Sequence, residues 1–303
     1  MNRLKKIGLT ILLLIIVLLL TRKENQNKTL ITTDFIQPWK ILDWNDEDFD
    51  NHFLKLESVK IKEVIIQWTI ESDGDEFKYR LYPSKYETKD KYDSILEKLL
   101  KSAKKNNVGI YIGLNNDLLW WNNYQNNEDY LKFQMEVAKN QVDEIENLYR
   151  EEYFNTILGY YLPFEIYTNA SGFSHNWANM FNILIEHLNL KTFSIPLLFS
   201  PFLSDYAGST NQNIKDTFDI LFKESKFRDF DLIIPMDSYG NVLPNDLNNE
   251  NRAFNYLESI RKSIEENSKI GMAVNIEIFS EVNGEFNCWF WKNKTTIKSS
   301  IFV

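Results

Sequence analysis

Cysteine is almost missing from this chain. Cys288 is the only thiol among 303 residues, so neither an intramolecular disulfide nor a multi-thiolate metal site can form. Histidine is scarce as well: His52, His175 and His187 are scattered, and no His-x-x-x-His or comparable ligand spacing occurs, so a dedicated zinc site is not expected. Glycine-rich phosphate loops, the Gly-x-Ser-x-Gly nucleophile elbow and kinase motifs are also absent, which sets aside the enzyme classes built on them. Positive charge is outnumbered, 34 Lys and Arg against 43 Asp and Glu. A surface carrying a net charge of -9 repels a phosphate backbone, and no nucleic-acid partner is expected. The chain shows neither an internal repeat nor a low-complexity linker.

What is present is globular and rich in rings. The chain is 44% hydrophobic and 15% aromatic, enough to fill a large core, and aromatic rings also stack on the apolar faces of sugars. The first 28 residues read as a targeting segment, separate from the fold. Arg3, Lys5 and Lys6 precede an apolar run from Ile7 to Leu20, closed by Arg22 and Lys23. No small-x-small cleavage site and no lipid-accepting cysteine follow it, so an uncleaved signal anchor is favoured over a cleaved signal peptide. Its positive flank stays cytoplasmic, which puts the remainder outside, membrane-anchored or secreted. Residues 29–303 then make one domain.

From Thr33 onward, short β-rich runs alternate with helical stretches, the pattern of a parallel sheet with crossover helices. Strands are predicted at 33–37, 63–70, 109–115, 157–163, 193–200, 231–236 and 271–278, and helices at 46–59, 92–106, 128–153, 174–188, 214–224 and 250–267. In the second helix Ile95, Leu96, Leu99, Leu100 and Ala103 recur at the three-and-four rhythm, while lysines fill the other face. Asn45 and Ser174 are positioned as amino-terminal caps. The expected fold is α/β, a (β/α)8-type TIM barrel incomplete after the seventh strand, with a doubly wound sheet as the alternative. An eighth helix and strand have little chain to draw on, and an eighth strand at 299–303 needs an unusually short connection.

In such a barrel the reacting groups gather at the carboxyl ends of the strands. Glu165, which closes the run from Gly159, and Glu277, within Ala273 to Phe279, each reach the mouth at a strand end. Two carboxylates facing each other across a barrel can flank a glycosidic bond, one protonating the leaving oxygen while the other attacks or activates water. Each also has a structural reading, as an ion-pair partner or a plain hydrogen-bond acceptor. Asp237 can assist as acid, base or hydroxyl anchor, or simply hold its own turn. Trp39, Trp68, Trp120 and Trp121 are candidate sugar-stacking residues, although singly each is more often a packing residue. Gln37, Gln67 and Asn115 are candidate readers of sugar hydroxyls, although a buried amide satisfying backbone groups looks the same in sequence, and Tyr239 is a further candidate substrate contact.

Several of these segments look familiar together. Phe35-Ile36-Gln37-Pro38-Trp39, Val64-Ile65-Ile66-Gln67-Trp68, Ile112-Gly113-Leu114-Asn115 with Trp120-Trp121, and Gly159-Tyr160-Tyr161-Leu162-Pro163-Phe164-Glu165 resemble, in order and spacing, a bacterial domain family of unknown function regarded as a glycoside-hydrolase-like TIM barrel. Ile234-Pro235-Met236-Asp237-Ser238-Tyr239-Gly240 and Asn275-Ile276-Glu277-Ile278-Phe279 look like its sixth and seventh strand motifs. The resemblance runs from Thr33 to Phe279 and implies the barrel fold and a carbohydrate-related role. The chain departs from the pattern after strand seven. It also has Phe164 before Glu165, where the large clan of retaining glycosidases has Asn.

The reading from sequence is therefore an extracytoplasmic glycoside hydrolase acting on a polysaccharide or oligosaccharide, needing no cofactor and no metal, and meeting the membrane through its amino-terminal segment. The alternatives are a noncatalytic carbohydrate-binding or polysaccharide-assembly protein and a degenerate barrel without a ligand.

Overall fold

The computed structural model describes residues 31–122, 124–167, 171–191, 195–203, 209–237, 249–276, 279–282 and 285–288. The chain runs through β1 (Thr33–Ile36), α1 (Asp46–Ser58) and β2 (Glu63–Ile66), then an excursion of β3 (Ile70–Asp73), β4 (Glu76–Arg80) and β5 (Asp90–Lys91). It continues with α2 (Ile95–Lys105), β6 (Gly109–Gly113), β7 (Asn115–Asp117), α3 (Glu128–Tyr153), β8 (Ile157–Leu162), α4 (Ser174–Lys191) and β9 (Leu197–Phe199). Then come α5 (Asn211–Glu224), β10 (Leu232–Ile233), α6 (Asn249–Asn267), β11 (Gly271–Met272), β12 (Phe279–Val282) and β13 (Glu285–Cys288).

Seven of these strands pair in parallel in the order β1-β2-β6-β8-β9-β10-β11. All seven predicted strands are found in it, and all six predicted helices lie between them. The sheet is curled. In a flat sheet β1 and β8, three strand spacings apart, would be separated by about 14 Å, yet the rings of Phe35 and Tyr161 meet at 5.6 Å. This is a half-barrel, and among the described residues no eighth strand joins it. Residues 299–303, where an eighth strand was expected, lie outside the described residues.

Alternation along the strands assigns the two faces. Val64, Ile66, Ile110, Ile112, Tyr160, Leu162, Leu197, Phe199 and Ile233 belong to the large core that also takes in the buried sides of the helices. Ile65, Tyr111, Tyr161, Leu198 and Ile234 make a separate, smaller cluster on the other, concave face. α2 buries Ile95, Leu96, Leu99, Leu100 and Ala103 in the large core, the stripe its sequence period predicts. α1 starts where Asn45 accepts hydrogen bonds from the amides of Glu47 and Asp48, and Asp48 accepts from the Asn45 amide in return. α5 starts earlier than the apolar rhythm indicated, at Asn211, because Thr210 and Asn213 form a second reciprocal cap.

The sheet strands are shorter than the apolar runs predicted, for a structural reason. The run at 63–70 leaves the main sheet after Ile66 and resumes as β3, while the run at 109–115 leaves it after Gly113 and resumes as β7. Gly113 permits the close passage: a Cβ there would lie 2.2 Å from the carbonyl oxygen of Gln67. β3 and β7 then pair with each other in a second sheet of order β5-β4-β3-β7. No element had been predicted between 71 and 91. After β11 the chain forms an antiparallel hairpin of β12 and β13, also unpredicted.

Candidate active site

The carboxyl end of the half-barrel is organised by one buried carboxylate. Asp117, 1% exposed, accepts from the Ser72 hydroxyl at 2.6 Å, the Gly74 amide at 2.9 Å, the Tyr130 hydroxyl at 2.9 Å and the Leu119 amide at 3.0 Å. A buried charge is tolerable only when its lone pairs are filled, and four donors fill them here. Three of the donors belong to the turn of the second sheet and to the 3-10 turn at Leu118–Trp121, so one side chain sets the position of both. Burial and the neighbouring Asp117 charge push the Tyr130 hydroxyl far above its ordinary pKa.

Glu165 follows β8 and is part-exposed. Its backbone carbonyl accepts the Trp120 indole N–H at 3.1 Å. Its segment continues alongside the residues after β9, through the Phe202 amide to the Ile166 carbonyl at 2.7 Å and a parallel bridge between Tyr167 and Phe202. One residue before the last of β8, Tyr161 sits on the concave face, 2% exposed. Burial pushes its hydroxyl far above the ordinary range; the Glu165 charge adds to this, and a hydrogen bond with Ser200 opposes it. The Glu165 carboxyl is thus within electrostatic reach of the concave tyrosine.

Around it the predicted aromatic residues divide. Trp39 is 50% exposed and its ring lies 5.2 Å from that of the part-buried Trp68. Trp121 is 53% exposed, with Tyr167 and Phe202 at 6.4 and 6.3 Å. These three are presented at the strand ends as expected. Trp120 is not: it is buried against Phe164 and Trp177, where its ring supports the Glu165 segment from behind. Asn115 is likewise fully buried, its amide donating to the Gln134 side chain at 2.6 Å, so it anchors α3 and does not reach the mouth. Both expectations of direct sugar contact are corrected by burial.

Gln37 and Gln67 are part-exposed at the ends of β1 and β2. The Gln67 Oε1 atom is buried without a hydrogen-bond partner among the described residues. Asp237 is part-exposed after β10, its amide donating to the Asn275 carbonyl at 2.9 Å, which carries the pairing of β10 and β11 beyond their regular part. Glu277 and Tyr239 lie outside the described residues. Among the described residues no group of three or more His, Cys, Asp or Glu side chains is placed to hold a metal ion, and no helix is long and apolar enough to cross a membrane. The apolar run at 7–20 is outside the described residues.

Sequence reasoning missed Asp117 as an organising group and passed over the second sheet altogether. There Glu71 on β3 stands between Tyr79 and Asn116, its carboxyl pushed above the usual range by burial against hydrogen bonds from Asn116, Tyr79 and Trp68. The signal for it was the polar-apolar alternation Glu76-Phe77-Lys78-Tyr79-Arg80 just after the turn residue Gly74, which implies a hairpin whose first arm carries Glu71.

A curled parallel sheet with helices on its convex side and acidic and aromatic residues at its strand ends makes the described part of the chain a β/α half-barrel of the TIM-barrel type. The chain belongs to DUF4434, a family described as a domain of unknown function, whose model matches residues 31–297. No curated protein shows significant similarity to it. Among solved structures it is similar to a candidate α-L-fucosidase from Bacteroides thetaiotaomicron, with a TM-score of 0.65 at 18% identity, covering 86% of this chain and 78% of that one. It is similar also to an endo-β-1,4-mannanase from Thermotoga petrophila, with a TM-score of 0.55 at 12% identity over 81% of this chain and 61% of that one. A third likeness is to the endo-1,4-β-mannanase of Rhizomucor miehei, with a TM-score of 0.51 at 9% identity, covering 80% and 75%. At such identities the likeness is one of fold.

Proposed function

We propose that the chain is a glycoside hydrolase acting on a polysaccharide, with Glu165 as its general acid. The observation that carries this reading is the place of Glu165: a part-exposed residue just past the end of β8, two residues before Tyr167, whose ring lies 6.4 Å from that of the exposed Trp121. In the reaction Glu165 gives its proton to the glycosidic oxygen as the bond from that oxygen to the anomeric carbon breaks. Glu277 is the proposed second carboxylate, either bonding to the anomeric carbon before water displaces it or taking a proton from the attacking water. Asp237 assists by holding a sugar hydroxyl or tuning a neighbouring carboxyl. Gln37, Trp39, Gln67, Trp68, Trp121 and Tyr239 are the proposed substrate contacts. The chemistry calls for neither metal nor organic cofactor.

Glu165→Gln keeps shape and removes the acid, and should lower turnover on a responsive glycan by about 10²- to 10⁴-fold with the melting temperature unchanged. Unchanged turnover would overturn the assignment. The domain is proposed to work outside the cytoplasmic membrane, held by the run from Ile7 to Leu20 behind Arg3, Lys5 and Lys6. Protease accessibility of a carboxyl-terminally tagged chain in intact cells tests this, and protection would count against it.

A second reading has its own support. The half-exposed Trp39 and Trp121 offer ring faces whether or not a bond is cut, as a noncatalytic carbohydrate-binding protein requires. Glycan binding without turnover in the wild-type chain would favour it.

A further inference from the structure

The second sheet carries a row of polar side chains that the hydrolase reading does not use. Glu71 is in register with Tyr79 on one side and Asn116 on the other, so three side chains from three strands stand in line on one face. Along β3, Ile70 and Ser72 are buried while Glu71 between them is part-exposed, so the row faces away from the core. Trp68 joins this row to the aromatic pair at the end of β1: its indole N–H donates to the Tyr79 hydroxyl at 2.7 Å, and its ring meets that of Trp39, which is half exposed. The nearby cation Lys78 has its short contacts elsewhere, with Glu76 at 2.8 Å and Asp73 at 3.7 Å. The row therefore offers acceptor oxygens and an amide beside an open ring face, in acidic surroundings.

Each component matches one part of a sugar ring. An exposed indole covers the C–H face of a pyranose, a carboxyl accepts from adjacent hydroxyls, and an amide both donates and accepts. An anionic sugar would meet Glu71, Asp73 and Glu76 at close range, and like charges brought together during desolvation are costly. We propose that Trp39, Glu71 and Asn116 form a binding subsite for a neutral pyranose unit of an oligosaccharide, and that it discriminates against uronic acid units. The subsite rests on the carbohydrate reading above but not on any role of Glu165. Burial keeps the Glu71 carboxyl above the ordinary range, in keeping with a group whose hydrogen bonds are made in a partly dry setting.

The test is calorimetric titration of the full chain as Glu165→Gln, with the hexaoses of cellulose, mannan, xylan and chitin and with hexagalacturonate. At least one neutral hexaose should bind, hexagalacturonate should bind about tenfold more weakly or not at all, and adding Glu71→Gln or Trp39→Ala should each weaken the neutral ligand by about tenfold. Glu71→Gln is isosteric and Trp39 is half exposed, so folded protein is expected, and a thermal melt run beside each titration identifies any variant that has lost its fold. For such a variant, Trp39→Phe and Asn116→Ala replace it in the same titration. No binding by any neutral hexaose, binding unmoved by every folded variant, or tightest binding to hexagalacturonate would each overturn the subsite. The two readings also fail separately. Turnover by the wild-type chain with binding indifferent to Glu71 and Trp39 removes the subsite, and Trp39 from the substrate contacts, while leaving the acid role of Glu165 standing, whereas binding that follows those residues without turnover removes the hydrolase alone.

Discussion

The convex and concave faces of the curled sheet obey different rules. On the convex face the aliphatic side chains of the strands meet the apolar stripes of the helices, and aromatic groups interlock: Phe181 packs with Phe199 and Phe227 at 4.6 and 5.0 Å. The concave face has only a small buried cluster, and two of its five members are tyrosines. One of these, Tyr111, has its hydroxyl pushed up to about 12 by burial and by the Glu63 charge. The contrast shows where stability and chemistry are kept apart. The convex face gains from water exclusion over a large area, whereas the concave face keeps hydroxyls and carboxyls within reach of each other at the expense of apolar contact.

That contrast is open to attack by substitution. The largest effect is expected for Phe181→Ala, which leaves a cavity in the convex core and should cost about 3–5 kcal/mol in a denaturant unfolding experiment; a loss no greater than that of a concave substitution would erase the distinction. Asp117→Ala comes next. It strips four donors of their common acceptor at the mouth, and a loss of about 2–4 kcal/mol is expected, together with changed quenching of Trp121. Tyr161→Phe on the concave face should cost only about 1 kcal/mol, because the ring stays and one hydrogen bond with Ser200 goes; it should also alter the pH profile of any turnover that depends on Glu165.

The convex shell holds a titrating weakness in α1. His52 packs against Trp44 and Phe53, its Nε2 has no hydrogen-bond partner among the described residues, and burial depresses its pKa against the raising effect of Asp34. The unfolded chain then binds the proton more tightly than the folded one. Stability should fall as pH drops below the ordinary histidine value near 6.5 and level off below the depressed folded value. His52→Phe should flatten that segment of a pH-stability curve, and an unchanged slope would show another group to be responsible. The smallest effect is expected at the surface, where Lys62→Ala breaks an exposed pair with Glu57 and should change stability by less than about 0.5 kcal/mol.

Much of the architecture is legible in the sequence. Apolar runs such as Glu63–Ile66 and Ile157–Leu162, separated by stripes like that of α2, admit few arrangements, because a strand apolar on both faces needs cover on both. The second sheet was not legible. Its strands are short: β4 reads Glu-Phe-Lys-Tyr-Arg, the alternation of a half-exposed strand, but five residues bounded by polar segments are too brief for the period to stand out. The candidate site was legible by half. Strand-end position led to Glu165, Trp39 and Trp121, but the same criterion picked Trp120 and Asn115, since position along a strand does not tell which way a side chain turns after the strand ends.

Residue order by itself determined the strand and helix succession, the Asn45 cap of α1 and the presence of polar groups at the strand ends, because local periodicity and capping act over a few residues and are written in the chain. Only the tertiary structure decided how far the sheet curls, which indoles stay exposed and that Glu71, Tyr79 and Asn116 line up. Those features come from pairings between residues from 8 apart, Glu71 and Tyr79, to 126 apart, Phe35 and Tyr161. Their free energy depends on burial and register among distant partners, quantities that no local window of sequence contains.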